Sequence, residues 1–356
     1  MIRAAQFFRR NRASDRFAKM ERWIESRLPH MFNFPPAAGL PWRSAIVCLL
    51  LSTGTPRLTH AAEPETTPGH TANRPERDAI KTAHRPWVWA VTDARAKIWL
   101  AGCLHMGTAR DAAVFPAYLP FYRKASALYF ETLPGSWNAY DVKRLLSQRG
   151  MLTDRQSLSA KLSKDTWRNL NAVVASSGGR LDSVLRMEPW LAALTLTRNG
   201  YVQAGLGSDH SLEAYIERAA TQDKKPLGSL ETPKDQILAM ADASFADQED
   251  FLNGTLNGME NMQAVTQTLR DAWVSGEEAR LQSALGIDAA TARSGMHQNL
   301  IGKRNRQWVQ RIQKIAGRGK PAVIVVGVEH LVANTDALPH LLKQAGFSVR
   351  RVGIEK

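Results

Sequence analysis

The sequence predicts an α/β fold: a mixed central sheet flanked by helices, with a helical insertion between an N-terminal and a C-terminal α/β unit. Three observations lead there. Short apolar, β-prone runs at residues 98–101 and 322–326 lie far apart in the chain, and each is followed at once by a glycine. A hairpin pattern supplies antiparallel pairing beside the first of them: residues 87–91, a turn at 92–95, then 97–101. Between the two ends, from Asp141 to about residue 300, the pattern is predominantly helical.

The elements follow in chain order. Residues 115–127 have the apolar spacing of a helix, and 128–131 form a short strand that ends in a carboxylate, Glu131. Within the insertion, Ser163 opens a helix that Gly178-Gly179 would stop. A second helix covers 181–198, where Pro189 marks a start or a kink because its missing N–H breaks the helical ladder. A third, at 212–221, precedes a strand near 226–230, and 253–284 is polar, Gln-rich and helical. In the C-terminal unit, Trp308, Ile312 and Ile315 stand at i, i+4 and i+7 of a helix over 305–316, which Gly317 and Gly319 stop. The strand at 322–326, a loop carrying His330, a helix at 337–345, a Gly346 cap and a strand at 347–352 complete the unit.

Of the 356 residues, 44% are apolar, enough for a sizeable core. The formal charge of +14 is unevenly placed, because ten Lys and Arg against three Asp and Glu lie in the first 62 residues and carry half of it. No basic block with interleaved aromatics stands out beyond them, so nucleic-acid binding is not supported. Arg43, the apolar run at 45–51, the breakers Gly54 and Pro56, and the small-residue exit at Ala61-Ala62 have the order of a cleavable secretory signal. The apolar run is too short to span a bilayer permanently. A start at Met20 or Met31 would bring the basic segment ahead of it to ordinary length. Residues 1–62 are therefore expected to be a leader, 63–85 a disordered linker, and 86–356 the α/β domain, with an insertion at about 141–300. A periplasmic or secreted protein is the expectation. Cleavage would leave Cys103 as the only thiol, which excludes an internal disulfide and suits a small apolar filler of a tight turn better than a nucleophile.

Gly102-Cys103-Leu104-His105 and Gly327-Val328-Glu329-His330 each place a Gly-x-x-His directly after a β-prone run. Glycine lets a strand end in a sharp turn, and the carboxyl edge of an open α/β sheet is where ligands sit. If both strands belong to one sheet, imidazoles from opposite ends of the chain meet at one rim. Either His alone is equally well a loop residue bonded to a carbonyl; the repetition is what points to a shared site. Two imidazoles and the Glu131 carboxylate suit Zn²⁺, Mn²⁺ or Co²⁺, with positions left for water and substrate. A water activated there is a nucleophile at neutral pH, and an arginine such as Arg304 can stabilise an oxyanion. The same Glu131 could instead cap a segment or form an ion pair, and Arg304 could be a solvated helix start. His297 reads as a surface histidine. No His-Glu-x-x-His, Gly-x-Ser-x-Gly or Walker loop is present, and Gly205-Leu206-Gly207-Ser208 lacks the third glycine of a dinucleotide loop.

Further segments join these motifs: residues 99–107 and 125–131, Met187-Glu188-Pro189-Trp190, Gly207-Ser208-Asp209-His210, and the block from Leu230-Glu231 to Gln236. The C-terminus adds Arg304-Asn305-x-x-Trp308, residues 326–332, Leu341-Leu342 and Gly346-Phe347-Ser348-Val349. Together they resemble the TraB/PrgY/GumN group, which is similar to the Tiki metalloproteases and more distantly to erythromycin esterase and the ChaN haem-binding proteins. The resemblance runs from about Trp87 to Val352. It departs at Ala333, where the group usually has glycine, which bears on the turn behind His330. It implies a metal-dependent peptidase site in which His105, Glu131 and His330 hold a divalent metal (Mn, Co or Zn). Arg304 would polarise the scissile carbonyl, Asn305 would support it, and Glu231 is a candidate general base. The implied substrates are peptides or protein N-terminal segments. Two alternatives stay open: a non-catalytic envelope protein that binds a peptide or haem, and an esterase-like hydrolase in which His105 is a general base without metal.

Overall fold

Uninterrupted apolar runs become the central strands, because a strand covered on both faces has no polar side to show. A computed structural model describes residues 85–93, 97–153, 155–177 and 181–352. The expected leader and linker (to residue 84), the turn residues Ala94 and Arg95, and the Gly178-Gly179 stop lie outside the described residues.

The six strands are β1 (Val88–Thr92), β2 (Lys97–Cys103), β3 (Ala127–Phe130), β4 (Leu227–Ser229), β5 (Ala322–Gly327) and β6 (Ser348–Val352), in the order β4-β3-β5-β2-β1-β6. β5 is buried along its whole length and β2 from Ile98 onward. β1 lies antiparallel to β2 and β6, as the hairpin pattern required, whereas β2, β5, β3 and β4 are parallel to one another. The sheet is therefore mixed. The two Gly-x-x-His strands are immediate neighbours: Gly102 pairs with Val326 and Cys103 with Gly327.

The longer helices are α1 (Phe115–Lys124), α2 (Tyr140–Gly150), α3 (Lys164–Ser176), α4 (Pro189–Gln203), α5 (Leu212–Gln222), α6 (Pro233–Ala241), α7 (Phe245–Met259), α8 (Met262–Ser275) and α9 (Arg304–Ala316); α10 (Glu329–Val332) is one turn, and α11 (Leu338–Gln344) leads into β6. Ser163 caps α3, its hydroxyl accepting the Thr166 N–H at 3.2 Å. The helix expected over 181–198 starts only at Pro189, which takes the first helical position where no N–H is needed. The helical stretch expected over 253–284 divides into α7, α8 and the short helix Glu278–Ala284; Gly276, at φ 70°, ends α8 in a conformation other side chains resist. Among the described residues, no helix is long and apolar enough to cross a membrane.

Trp308, Ile312 and Ile315 of α9 are all buried in the core cluster that includes both central strands. The Trp87 indole N–H donates to the Trp273 carbonyl at 2.6 Å and ties α8 to the sheet. Gly102 and Gly327 do not have positive φ, so their role is close approach rather than the sharp turn expected from sequence. A Cβ on Gly102 would stand 2.9 Å from Val328 Cγ2, and one on Gly327 would stand 2.8 Å from His105 Nε2.

Candidate metal centre

Four parallel strands end side by side, and each is followed within a few residues by a candidate side chain. β2 leads to His105, β3 to Glu131, β4 to Glu231 and β5 to His330. Backbone pairing continues past the strand ends: Glu231 N–H donates to the Glu131 carbonyl at 2.9 Å. This is the carboxyl rim of the parallel part of the sheet, the edge at which ligands sit in open α/β folds. All the sequence-predicted residues gather there, and all are buried: His105, Glu131, Glu231, Arg304, Asn305 and His330. His330 stands on the single turn α10 rather than in an extended loop. Ala333 behind it has φ −76°, so the turn does not demand glycine.

Both imidazoles are held by Nδ1 and present Nε2 to the same oxygen. His105 Nδ1 lies 2.7 Å from Glu213 Oε2, so it donates there. Its Nε2 lies 3.4 Å from Glu131 Oε1 and has no hydrogen-bond partner among the described residues. On the other side, the Asn305 amide donates to the carbonyls of His330 (3.1 Å) and Asp336 (2.7 Å). That leaves Asn305 Oδ1 to accept from His330 Nδ1 at 2.6 Å, which fixes the tautomer. His330 Nε2 then lies 3.8 Å from Glu131 Oε1. The Trp308 ring packs on His330 with centroids 4.3 Å apart.

Arg304 binds the carboxylates together. Its Nε donates to Glu231 at 3.0 and 3.1 Å, Nη2 donates to Glu131 at 2.8 Å and to Glu231, and Nη1 donates to the Leu300 carbonyl at 2.7 Å and faces His330 Nε2 at 3.3 Å. All five N–H groups of the guanidinium are thus engaged. Glu231 takes Arg304 on both oxygens and the Trp308 indole N–H at 2.9 Å. Glu131 also accepts from Gly327 N–H at 2.7 Å and from the Gln236 amide at 3.1 Å.

The charges follow from these contacts. Burial works against the Glu131 carboxylate, but His330, His105 and Arg304 around it hold its pKa well below the usual range. Burial, helped by Arg304 and His105, keeps the pKa of His330 well below that of a free imidazole. Burial also disfavours a charged His105, yet Cys103 and Glu213 beside it more than compensate and raise its pKa. Burial pushes Glu329, next to His330, up to about 8 despite the pull of Arg304. In the metal-free protein, folded Glu329 then keeps a proton that the unfolded chain releases near 4.5. Stability should therefore fall as pH rises from 4.5 to about 8, and Glu329→Gln should flatten that part of the curve. Urea unfolding of both proteins across that range checks this; an unchanged slope would contradict it.

Some functional neighbours escaped the sequence. Glu213 and Gln236 lie on the buried faces of α5 and α6, beside Ile216 and Ala220 in one helix and Met240 in the other. A carboxylate or amide on an apolar helix stripe was the available signal. His297, expected at the surface, is completely buried, on a short helix whose Met296 is buried as well. Cys103, His105 and Glu213 form a buried cluster whose donor atoms all lie within 4.8 Å of one another, a group able to bind a metal ion. Burial pushes the Cys103 thiol up to about 11, so at neutral pH it is a protonated, poor nucleophile. Cys103→Ala should leave any turnover within a few-fold and cost about 1 kcal/mol of stability, read from a peptide-cleavage assay and a melt. A folded Cys103→Ala protein with no turnover would restore the thiol mechanism.

The model of the TraB/PrgY/gumN family matches residues 87–351. The chain belongs to this family. The family match thus contains every residue of the centre, from His105 to His330. The chain is also similar to "Uncharacterized protein YbaP" of Escherichia coli (strain K12) and of Shigella flexneri. Each is 24% identical over 250 residues, covering 68% of this chain and 87% of the relative. No solved structure matches the chain significantly.

Proposed function

We propose that this chain is an exported, metal-dependent hydrolase acting on peptides or protein N-terminal segments, with His105, Glu131 and His330 holding one divalent metal (Mn, Co or Zn). One observation carries the reading. Two imidazoles from opposite ends of the chain, each fixed through Nδ1, turn Nε2 toward one Glu131 oxygen, at 3.4 and 3.8 Å. Holding a ligand imidazole by its other nitrogen is how metal sites set tautomer and orientation, and Glu213 and Asn305 do that here. The orphaned, buried Nε2 of His105 fits the role, because a buried ring nitrogen left without a partner is otherwise unfavourable. When bound, the metal supplies a Lewis acid and an activated water.

The chain's own residues prepare the site. Arg304 bridges Glu131 and Glu231 with a single positive charge, and a substrate carbonyl would reach its guanidinium by displacing one of these partners. Asn305 orients His330. Glu231 would act as a base only after releasing Arg304 or Trp308. A cavity of about 250 Å³ is lined by Glu231, Trp308, Asp235 and Arg311 among others, on the Glu231 side of the cluster. The saturation of Arg304 and the burial of the centre favour one second reading, a non-catalytic envelope protein that sequesters a peptide or haem.

Digestion of a peptide library by metal-loaded protein, beside His330→Ala, separates the two. Cleavage that chelator abolishes, that added metal restores and that His330→Ala lacks supports the hydrolase. Metal-loaded protein that binds peptides or haem and cleaves none contradicts it.

A further inference from the structure

Two buried side chains beside this centre have no hydrogen bonds of their own. His297 ends the short helix Gly295–His297, ahead of the π-helical segment Gln298–Lys303, and neither ring nitrogen has a hydrogen-bond partner among the described residues. Glu329 opens α10, and neither of its carboxylate oxygens has one. The side chains are 0% and 5% exposed, and His297 Nδ1 lies 3.7 Å from Glu329 Oε1. The charged groups nearby are committed elsewhere. Asp336 accepts from Arg306 and Gln298, while Arg304 donates to Glu131 and Glu231.

Four unpartnered polar atoms in one buried place are costly, and more so where the group is charged. A separation of 3.7 Å is too long for an imidazole–carboxyl hydrogen bond. It is close to the distance between two ligands of one cation, about 3.4 Å for tetrahedral geometry with bonds of about 2.1 Å. A cation satisfies both groups at once, taking a lone pair from a ring nitrogen and one from a carboxylate oxygen that gives up its proton on binding. The mixed N/O pair selects a first-row divalent transition metal over Ca²⁺ or Mg²⁺, which prefer oxygen alone. π-Helical turns such as the one that follows His297 recur at functional sites.

We propose that His297 and Glu329 hold a second divalent transition-metal cation, with water or substrate completing its coordination, so that the chain carries two such ions. α10 presents Glu329 and His330 in succession, so the second ion would stand beside the His105–Glu131–His330 centre and face the same rim. Paired cations of this kind orient both partners of a hydrolytic displacement.

The test is the cobalt content of the full chain, loaded with Co²⁺ alone and freed of excess, with visible absorption recorded alongside. Glu329→Gln and His297→Asn should each lower the count by one ion per chain and remove one set of d–d bands. His105→Ala should remove a different ion, and His105→Ala/Glu329→Gln should lose both. Folded Glu329→Gln and His297→Asn proteins that keep the wild-type count and spectrum would overturn the proposal. If one of them fails to fold, the other decides. If His105→Ala keeps the wild-type count while Glu329→Gln loses one ion, the second site stands and the first reading fails.

Discussion

Replacing Arg304 with methionine should destabilise the protein by about 3–5 kcal/mol, the penalty for stranding buried charges without their partner. Arg304 is 2% exposed and is the counter-charge of both Glu131 and Glu231, while its Nη1 closes the Leu300 carbonyl at the start of α9. Methionine fills the volume and stacks on Trp308, where the guanidinium now lies 4.7 Å from the ring centroid, but satisfies none of these groups. Lysine should recover only part of the loss, because one ammonium cannot reproduce the planar fork that spans two carboxylates. Adding Glu231→Gln to Arg304→Met should recover part of it as well, since the second change removes one of the stranded charges. Urea unfolding at pH 7 measures all four proteins. A loss below about 1 kcal/mol for Arg304→Met would mean the cluster is not held by charge.

Glu131→Gln should lower metal affinity by more than about 100-fold, beyond what losing an outer partner does, while the protein still folds. The amide oxygen can go on accepting from Gly327 N–H, so the rim keeps its shape. What disappears is the charge opposite Arg304 and between the two Nε2 atoms, a loss of about 1.5–3 kcal/mol for hydrogen bonds to an ionised group. Cobalt titration alongside a thermal melt separates the two effects. An unchanged affinity in the folded variant would remove Glu131 from the ligand set.

Much of this was legible in the sequence because the sheet imposes its own grammar. The runs at 98–101 and 322–326 have no polar alternation, and only strands covered on both faces tolerate that, so they pair at the centre. Once they pair in parallel, the residues just beyond their ends must share a rim. Less legible were contacts made across helices. Glu213 meets His105 from 108 positions away, and its sequence context is an ordinary amphipathic helix. The reason for each glycine was misjudged for a similar cause: the demand comes from His105, Val328 and Leu331 pressing on the backbone, which local sequence cannot show. His297 was misplaced because its neighbours, Met296 and Gln298, give no sign of the depth at which their segment packs. Pro189 was read as a helix start or a kink and proves to be the start, whereas the break at Gly276, also signalled by residue type, was outweighed by a longer periodic pattern.

The central claim is that His105 and His330 serve one ion from opposite ends of the chain. Metal content of His105→Ala, His330→Ala and the double variant, each loaded identically and checked for folding, tests it most directly. Each single change should lower the count by one ion per chain, and the double variant should lose that same single ion, as residues acting as a unit do. A single variant that keeps the wild-type count, or a double variant that loses two ions, would contradict a shared site.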